Sequence, residues 1–356
     1  MVHITSPPDI IVSSKNPKKI ILASNFSYNL NLLSKYKDLS YQLKLNEIKK
    51  FLYFRNKFDF GIGEINPKDK RNLEKLQFMI MSKTAPEIEV TLKRKIYNKQ
   101  IEDNLPPFKI SYLFKNIEDI DNIKIPKHVE KVYYDYDLKA IDGMLYLYKK
   151  GYDIENISRY LSMGILGKEA NRRIIPTKHA ISASDSYIAD KMIKNIRTYE
   201  ILDEIYLFYG EHYDNHFTIL FLPREFSFEL IEIIRYKSHP IIKADYEDFY
   251  GRKTYAENTG GGYYAIRFGI TEYLEHLKKQ ASVVVVRDIK PSYYMSLGVW
   301  VLRESIREIT SKKLPKRFSN INLVLEYLKQ KSEAMVYKKL SKSFVIRSFI
   351  KQRKLF

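Results

Sequence analysis

The chain has 356 residues, enough for one large domain or two to three ordinary ones, and 45% hydrophobic against 29% charged residues is an ordinary globular balance. It contains no cysteine, which excludes disulfides, Cys-liganded zinc fingers, iron–sulfur clusters and thiol nucleophiles. Lys and Arg total 61 against 42 Asp and Glu, and the resulting net charge of +19 favours polyanionic partners, nucleic acid first. No apolar run approaches the roughly 20 residues that cross a bilayer. The opening MVHITSPPDI lacks the basic-then-apolar pattern of a secretory signal. A cytoplasmic protein without a membrane partner is expected.

The segment up to Leu22 reads as loop, interrupted by Pro7, Pro8 and Pro17. Leu30–Tyr53 has leucines at helical spacing, and Asn66-Pro67 opens a helix running to about Ser82. PEIEVTLKR (Pro86–Arg94) alternates as a strand, and a loop follows at Leu105-Pro106-Pro107. VEKVYYDYD (Val129–Asp137) reads as a further strand. Leu138–Lys150 is a helix stopped by Gly151, and Ile154–Met163 is a shorter one. EIYLFY (Glu204–Tyr209) and HFTILFLP (His216–Pro223) suit a hairpin across the polar Gly210–Asn215. FSFELIEIIRYK (Phe226–Lys237) has helical periodicity through Phe228, Ile231 and Ile234. A helix from Tyr263 to Gln280, a doubly buried strand SVVVVRDI (Ser282–Ile289) and a helix over Gly298–Ile309 complete the core. Hairpins and helices mix without strict alternation. The expected class is α+β, a mixed sheet with hairpin strands packed by several helices, followed by a basic C-terminal helical tail.

Several residues carry candidate chemistry. Gly260, Gly261 and Gly262 precede a helix, so their backbone can be approached closely and the helix offers free N–H groups. The spacing matches neither a Walker motif nor GxGxxG, and either a phosphate cradle or a tight turn with close helix–sheet packing satisfies it. Arg252 and Arg267 flank the glycines, and Tyr263 and Tyr264 offer rings for a base or hydroxyls for an oxygen. Arg172 and Arg173 stand just before Thr177 and Lys178 near a helix start, Arg287 ends the valine strand, and Arg303 and Arg307 share a helix face. Together these residues form a candidate arginine-lined cleft for a nucleotide or nucleic-acid phosphate, whose alternative is an interlocking ion-paired face. Asp135 with Asp137, and Asp245 with Glu247 and Asp248, are carboxylate pairs of the kind that hold magnesium, without the rest of a nuclease or polymerase signature. His212 and His216 lie across a polar loop, and His179 is the better general-base candidate. No metal site, cofactor or catalytic residue is assigned, and whether the chain is an enzyme stays open. From Ser311 to Phe356 there are 13 Lys or Arg and 2 Glu, a basic tail that is either a solubilising helix or a nucleic-acid footprint.

LSMGILGKEANRRIIPTKHAISASDS, GGGYYAIRFGITEYL and VVVVRDIKPSYYMSLGVWVLRESIREI, preceded by SKTAPEIEV, DYDLKAIDGMLYLYKKGYDI and NHFTILFLP in that order, resemble the Nre family of archaeal DNA-repair proteins. The resemblance runs from about Ser6 to Glu308 and divides the chain into an N-terminal Nre region (1–245), a C-terminal Nre region (246–310) expected to form one compact unit with it, and the basic tail (311–356). It implies a role in DNA damage repair with recruitment to a sliding clamp of the PCNA type, while the basic surplus points to DNA as a further partner and the glycines and arginines to a nucleotide or phosphate as a candidate ligand. Many members carry an N-terminal four-cysteine zinc finger, which this chain lacks. Where the family usually has arginine and tryptophan, this chain has Lys178 and His179, so the charge is kept without the planar fork of a guanidinium. In many members a C-terminal peptide binds the clamp. Gln352, Leu355 and Phe356 have a shortened form of that spacing, with a single terminal aromatic. Two readings result: a repair factor delivered by the clamp that binds nucleic acid or a nucleotide phosphate in the arginine-lined cleft; alternatively, a metal- or His-assisted enzyme acting on such a phosphate.

Overall fold

The computed structural model describes residues 2–5, 10–12, 20–26, 59–66, 69–84, 86–99, 108–212, 214–235, 239–293 and 298–353. The chain divides into two compact units, Met1–Ile188 with Ser296–Gly298, and Ala189–Met295 with Val299–Phe356.

The first unit holds a mixed six-stranded sheet of β1 (Val2–Thr5), β2 (Ile10–Val12), β3 (Ile20–Phe26), β4 (Asp59–Ile65), β5 (Glu87–Lys99) and β6 (Phe108–Asp121), in the order β1-β5-β6-β4-β3-β2. Only β4 and β6 pair in parallel. The N-terminal segment therefore contributes strands where a loop was expected. Pro7 and Pro8 fall between β1 and β2 in the sequence and Pro17 between β2 and β3, so no residue of these strands lacks its N–H. The expected helices over Leu30–Tyr53 and the Leu105–Pro107 loop lie outside the described residues.

Helix α1 (Lys70–Met81) is capped by Asp69, whose carboxylate accepts the Asn72 N–H at 3.3 Å, and it buries Leu76, Met79 and Ile80. Val129–Asp137 is no strand: α2 (Lys127–Tyr134) starts after Pro126, and Val129 and Val132, three apart, are both buried. Helix α3 (Ala140–Lys149) gives way at Gly151, which adopts φ +81°, and α4 (Ile154–Ser162) follows. Helix α5 (Thr177–Ile196) begins in the first unit and ends in the second.

The second unit is built on a central sheet of β8 (Ile205–His212), β9 (Asn215–Leu222), β10 (Ser227–Arg235), β11 (Pro240–Glu247), β13 (Ser282–Ile289) and β14 (Lys316–Phe318). Its order is β11-β10-β13-β9-β8-β14, and only β10 and β13 run parallel. Short β7 (Glu200–Ile201) and β12 (Lys279–Gln280) form a separate pair. The β8–β9 hairpin is tighter than expected, with His212 paired to Asn215. Phe226–Lys237, expected as a helix, supplies the strand β10, which is flanked by β11 and β13 and buried on both faces from Ser227 to Ile233.

Helices α6 (Gly261–Leu277) and α7 (Trp300–Lys312) follow in the same unit. The face of β10 bearing Phe228 meets α6, whose Tyr263 ring lies 5.0 Å from the Phe228 ring. The opposite face carries Ile231, Ile233, Val284 and Val286, covered by Ile321, Val324 and Leu328 of α8 (Ile321–Lys331), Val336 and Leu340 of α9 (Ala334–Ser341) and Ile346 and Phe349 of α10 (Phe344–Arg353). The basic tail is thus a helical layer of the core.

Candidate functional site

The segment from β11 to α6 is held by its own polar groups. Asp245 and Glu247, two apart on one strand, share a face. Asp245 accepts the backbone N–H of Thr259 at 2.7 Å and its hydroxyl at 2.8 Å, and pairs with Arg252 at 3.3 Å. Arg252 donates to the carbonyls of Tyr246 (2.8 Å) and Tyr255 (3.0 Å) and lies 5.4 Å from the centre of the Tyr263 ring. One guanidinium therefore ties the strand end to the loop that delivers the glycines.

Gly260 stands at the helix N-cap with φ 57°, a left-handed value that a side chain would strain. Gly262 serves close approach: a Cβ there would lie 3.3 Å from both Glu232 Oε1 and Leu302 Cδ1. A protein carboxylate accordingly stands beside the first turn of α6. Glu232 is itself bound, accepting from Arg287 Nη1 at 2.7 Å, while Arg287 Nε donates to Asn215 Oδ1 at 2.8 Å.

The remaining arginines of this unit follow the same rule. Arg267, 5% exposed, donates from Nε to Glu247 at 2.6 Å and from Nη2 to Asp190. Burial opposes its charge, but Glu247 and Asp190 outweigh that and raise its pKa. Arg307 grips Glu272 with two bonds of 2.6 and 2.8 Å and also reaches Glu304, which pairs with buried Arg303 at 3.3 Å. Arg303 and Arg307 both lie near the Phe268 ring, joining α7 to α6. Each arginine singled out in this unit has a carboxylate partner. Tyr263 and Tyr264 are buried, and the Tyr264 hydroxyl accepts the Ala256 N–H at 3.0 Å, so neither ring stands on the surface as a stacking platform.

The other candidates belong to the first unit. Arg172 donates from Nε to the Gly167 carbonyl (2.7 Å) and from Nη2 to that of Asp135 (3.2 Å), and its guanidinium lies near Tyr133 and Tyr136. Thr177 Oγ1 accepts the Val12 N–H at 2.8 Å. Arg173 and Lys178 are exposed. The tyrosines of YYDYD carry no signal in a reading that sees only their aspartates. Their adjacency to two consecutive arginines emerges from the turn after α2.

Among the described residues, no three His, Asp or Glu side chains gather where a metal ion could be held. Asp248 caps the Tyr250 N–H at 2.8 Å. His216 stands 3.6 Å from Glu211 across the hairpin, and burial first among several causes lowers the pKa of His212. His179 is exposed near the start of α5. Gln352 lies within the span of α10, and Leu355 and Phe356 lie outside the described residues. No described helix is long and apolar enough to cross a membrane.

Comparison with known proteins agrees with the motifs. Family models described as "Archaeal Nre, N-terminal" and "Archaeal Nre, C-terminal" match residues 1–239 and 247–356. The DNA repair protein NreA of Archaeoglobus fulgidus is 33% identical over 318 residues, covering 86% of this chain and 80% of that protein. NreB of the same organism, also called a DNA repair protein, is 31% identical over 308 residues, or 84% and 78% of the two chains. DNA repair protein NreA of Haloferax volcanii is 34% identical over 195 residues, or 52% and 46%. No solved structure matches the chain. With both family models matched in order and two relatives aligned over most of their length, the chain belongs to the archaeal Nre family.

Proposed function

We propose that this chain works in archaeal DNA repair as a DNA-binding factor, with the outer face of the α8–α10 layer as its principal contact surface. The names of its relatives supply the repair setting. The observation that supports DNA contact is the two-sidedness of the layer. Ile321, Val324, Leu328, Val336, Leu340, Ile346 and Phe349 are buried on the sheet, while Leu323 and Phe344 are half-exposed and Lys329, Lys338, Lys342 and Lys351 are exposed with no carboxylate partner among the described residues. Cations held by a folded layer with their charge uncompensated suit a phosphate backbone. A phosphate at Gly260–Gly262 has less support, since the surrounding arginines are already matched with carboxylates. A C-terminal peptide of Gln352, Leu355 and Phe356 is proposed to dock on a sliding clamp, as the family resemblance implies.

The test is charge neutralisation, because removing the layer would uncover Ile231, Ile233, Val284 and Val286. Replacing the four lysines with Gln is expected to weaken duplex DNA binding and to flatten the dependence of log affinity on log salt by about 0.9 for each lysine that engages a phosphate. An unchanged slope in a variant with wild-type circular dichroism would place the DNA contact elsewhere.

A further inference from the structure

A pocket of about 390 Å³ lies wholly within the first unit, a size within the roughly 300–1,000 Å³ of small-ligand sites. Its wall is formed by Tyr133, Tyr134 and Tyr136 from α2 and the turn after it, by α1, and by the segment through Arg172 and Arg173. Tyr134 and Tyr136 are 51% and 49% exposed, a large share for aromatic rings at a concave site. Exposed rings in the wall of a pocket offer sequence-tolerant stacking for an unpaired base, and Arg172 already lies over the Tyr136 ring.

The polar lining completes the chemistry. Arg172 sits 5.4 Å from the centre of the Tyr133 ring and 5.7 Å from that of Tyr136, and its bonds to the Gly167 and Asp135 carbonyls fix it there. Arg173 and Lys70 line the pocket, are exposed, and have no carboxylate partner among the described residues. Glu74 and Glu169 line it too, so the cations exceed the anions by only one. That balance suits a nucleotide with one phosphate or phosphodiester and disfavours a polyphosphate. Gln77 belongs to the floor: its Oε1 accepts the Tyr133 hydroxyl at 3.1 Å and its Nε2 donates to the Met163 carbonyl at 2.9 Å.

We propose that this pocket holds a single unstacked nucleotide, its base against Tyr134 and Tyr136 and its phosphate toward Arg173 and Lys70. The inference rests on the nucleic-acid reading above but uses a different unit of the chain. The nucleotide belongs either to a single strand of DNA or to a free mononucleotide, and the chemistry of recognition is the same.

The experiment measures fluorescence anisotropy of a short labelled oligothymidylate with the full chain. Tyr134→Ala is expected to weaken binding about tenfold, and Tyr134→Phe, which keeps the ring, to retain it. Tyr136 supports Arg172, so Tyr134 is the variant that best spares the fold, with the melting temperature as its control. Wild-type affinity in a folded Tyr134→Ala protein would overturn the proposal. Displacement of the oligothymidylate by thymidine monophosphate, lost in Tyr134→Ala, identifies the free nucleotide. Absence of displacement, with the tenfold loss intact, identifies the strand. Repeating the titration in the four-lysine variant separates the two proposals. Loss of the duplex salt slope tests the outer layer, whereas the Tyr134 dependence of single-strand binding tests the pocket.

Discussion

Arg267 shows how a single residue type serves two opposite readings. An arginine less than two turns into a helix that opens at three glycines has the position of a phosphate ligand. It also has the position of a buried tie, and here Glu247, 3% exposed, and Asp190 occupy its fork. Removing one member of a buried pair leaves the other charge desolvated and unmatched, at a cost of about 3–5 kcal/mol. Arg267→Ala is therefore expected to lower unfolding free energy by about that amount in urea denaturation, with Glu247→Gln added to it recovering part of the loss. A variant of undiminished stability would mean that the pairs with Glu247 and Asp190 add nothing net to the fold. The type of arginine needed at these positions was legible in the sequence. Its carboxylate partners were not, because Glu232, Glu247 and Glu272 come from β10, β11 and α6 and meet the arginines only through the tertiary packing.

At the scale of elements, two segments changed type for the same reason. Phe226–Lys237 has apolar residues at spacings that fit a helix, but nearly every position of β10 is buried, and a run apolar on both faces carries no period of its own. Its neighbours β11 and β13 decide the matter by hydrogen bonding both edges. In α2 the eight-residue stretch contains both an alternation and a three-residue spacing, and the burial of Val129 and Val132 selects the second. Strand β10 also anchors α10. Buried Glu229 accepts the Val345 N–H at 2.9 Å, at the positive end of that helix. Burial raises the pKa of Glu229, opposed less strongly by the Val345 and Phe344 N–H groups and by Arg347. A raised folded-state pKa means that the folded chain holds its proton more tightly than the unfolded one. The stability so contributed is full below the unfolded carboxyl pKa of about 4.3 and is lost as pH rises through the folded value. Glu229→Gln keeps an acceptor for the helix and removes the titration. Its melting temperature is expected to match wild type at low pH and to gain on it progressively as pH rises above about 4.3, read by calorimetry across that range. A constant difference between the two proteins would mean that Glu229 does not titrate on folding.

For the whole molecule, the C-terminal layer closes the core on one side of the sheet, and its outer face is the proposed DNA contact. Its last described apolar anchors, Phe349 and the partly buried Ile350, come before Gln352, so removal of residues 352–356 is expected to leave the melting temperature unchanged. The same deletion is expected to abolish binding to the sliding clamp of its own species, since Leu355 and Phe356 are the closely spaced apolar pair that a preformed pocket can take. Calorimetric titration of the truncated chain decides it, and undiminished binding would detach clamp recognition from the tail. The α+β class, the doubly buried valine strand Ser282–Ile289, the stop at Gly151, the basic surplus and, through motifs in order, the family are all legible along the chain. These are properties of composition, local backbone preference and chain order, which need no distant partner. Packing in three dimensions makes the basic tail close a core, brings the arginines of the second unit to carboxylates, and gathers three tyrosines and Arg173 at one pocket. Each of those depends on which residues far apart in the chain exclude water from one another, and that is settled by packing rather than by the spacing of residues along the sequence.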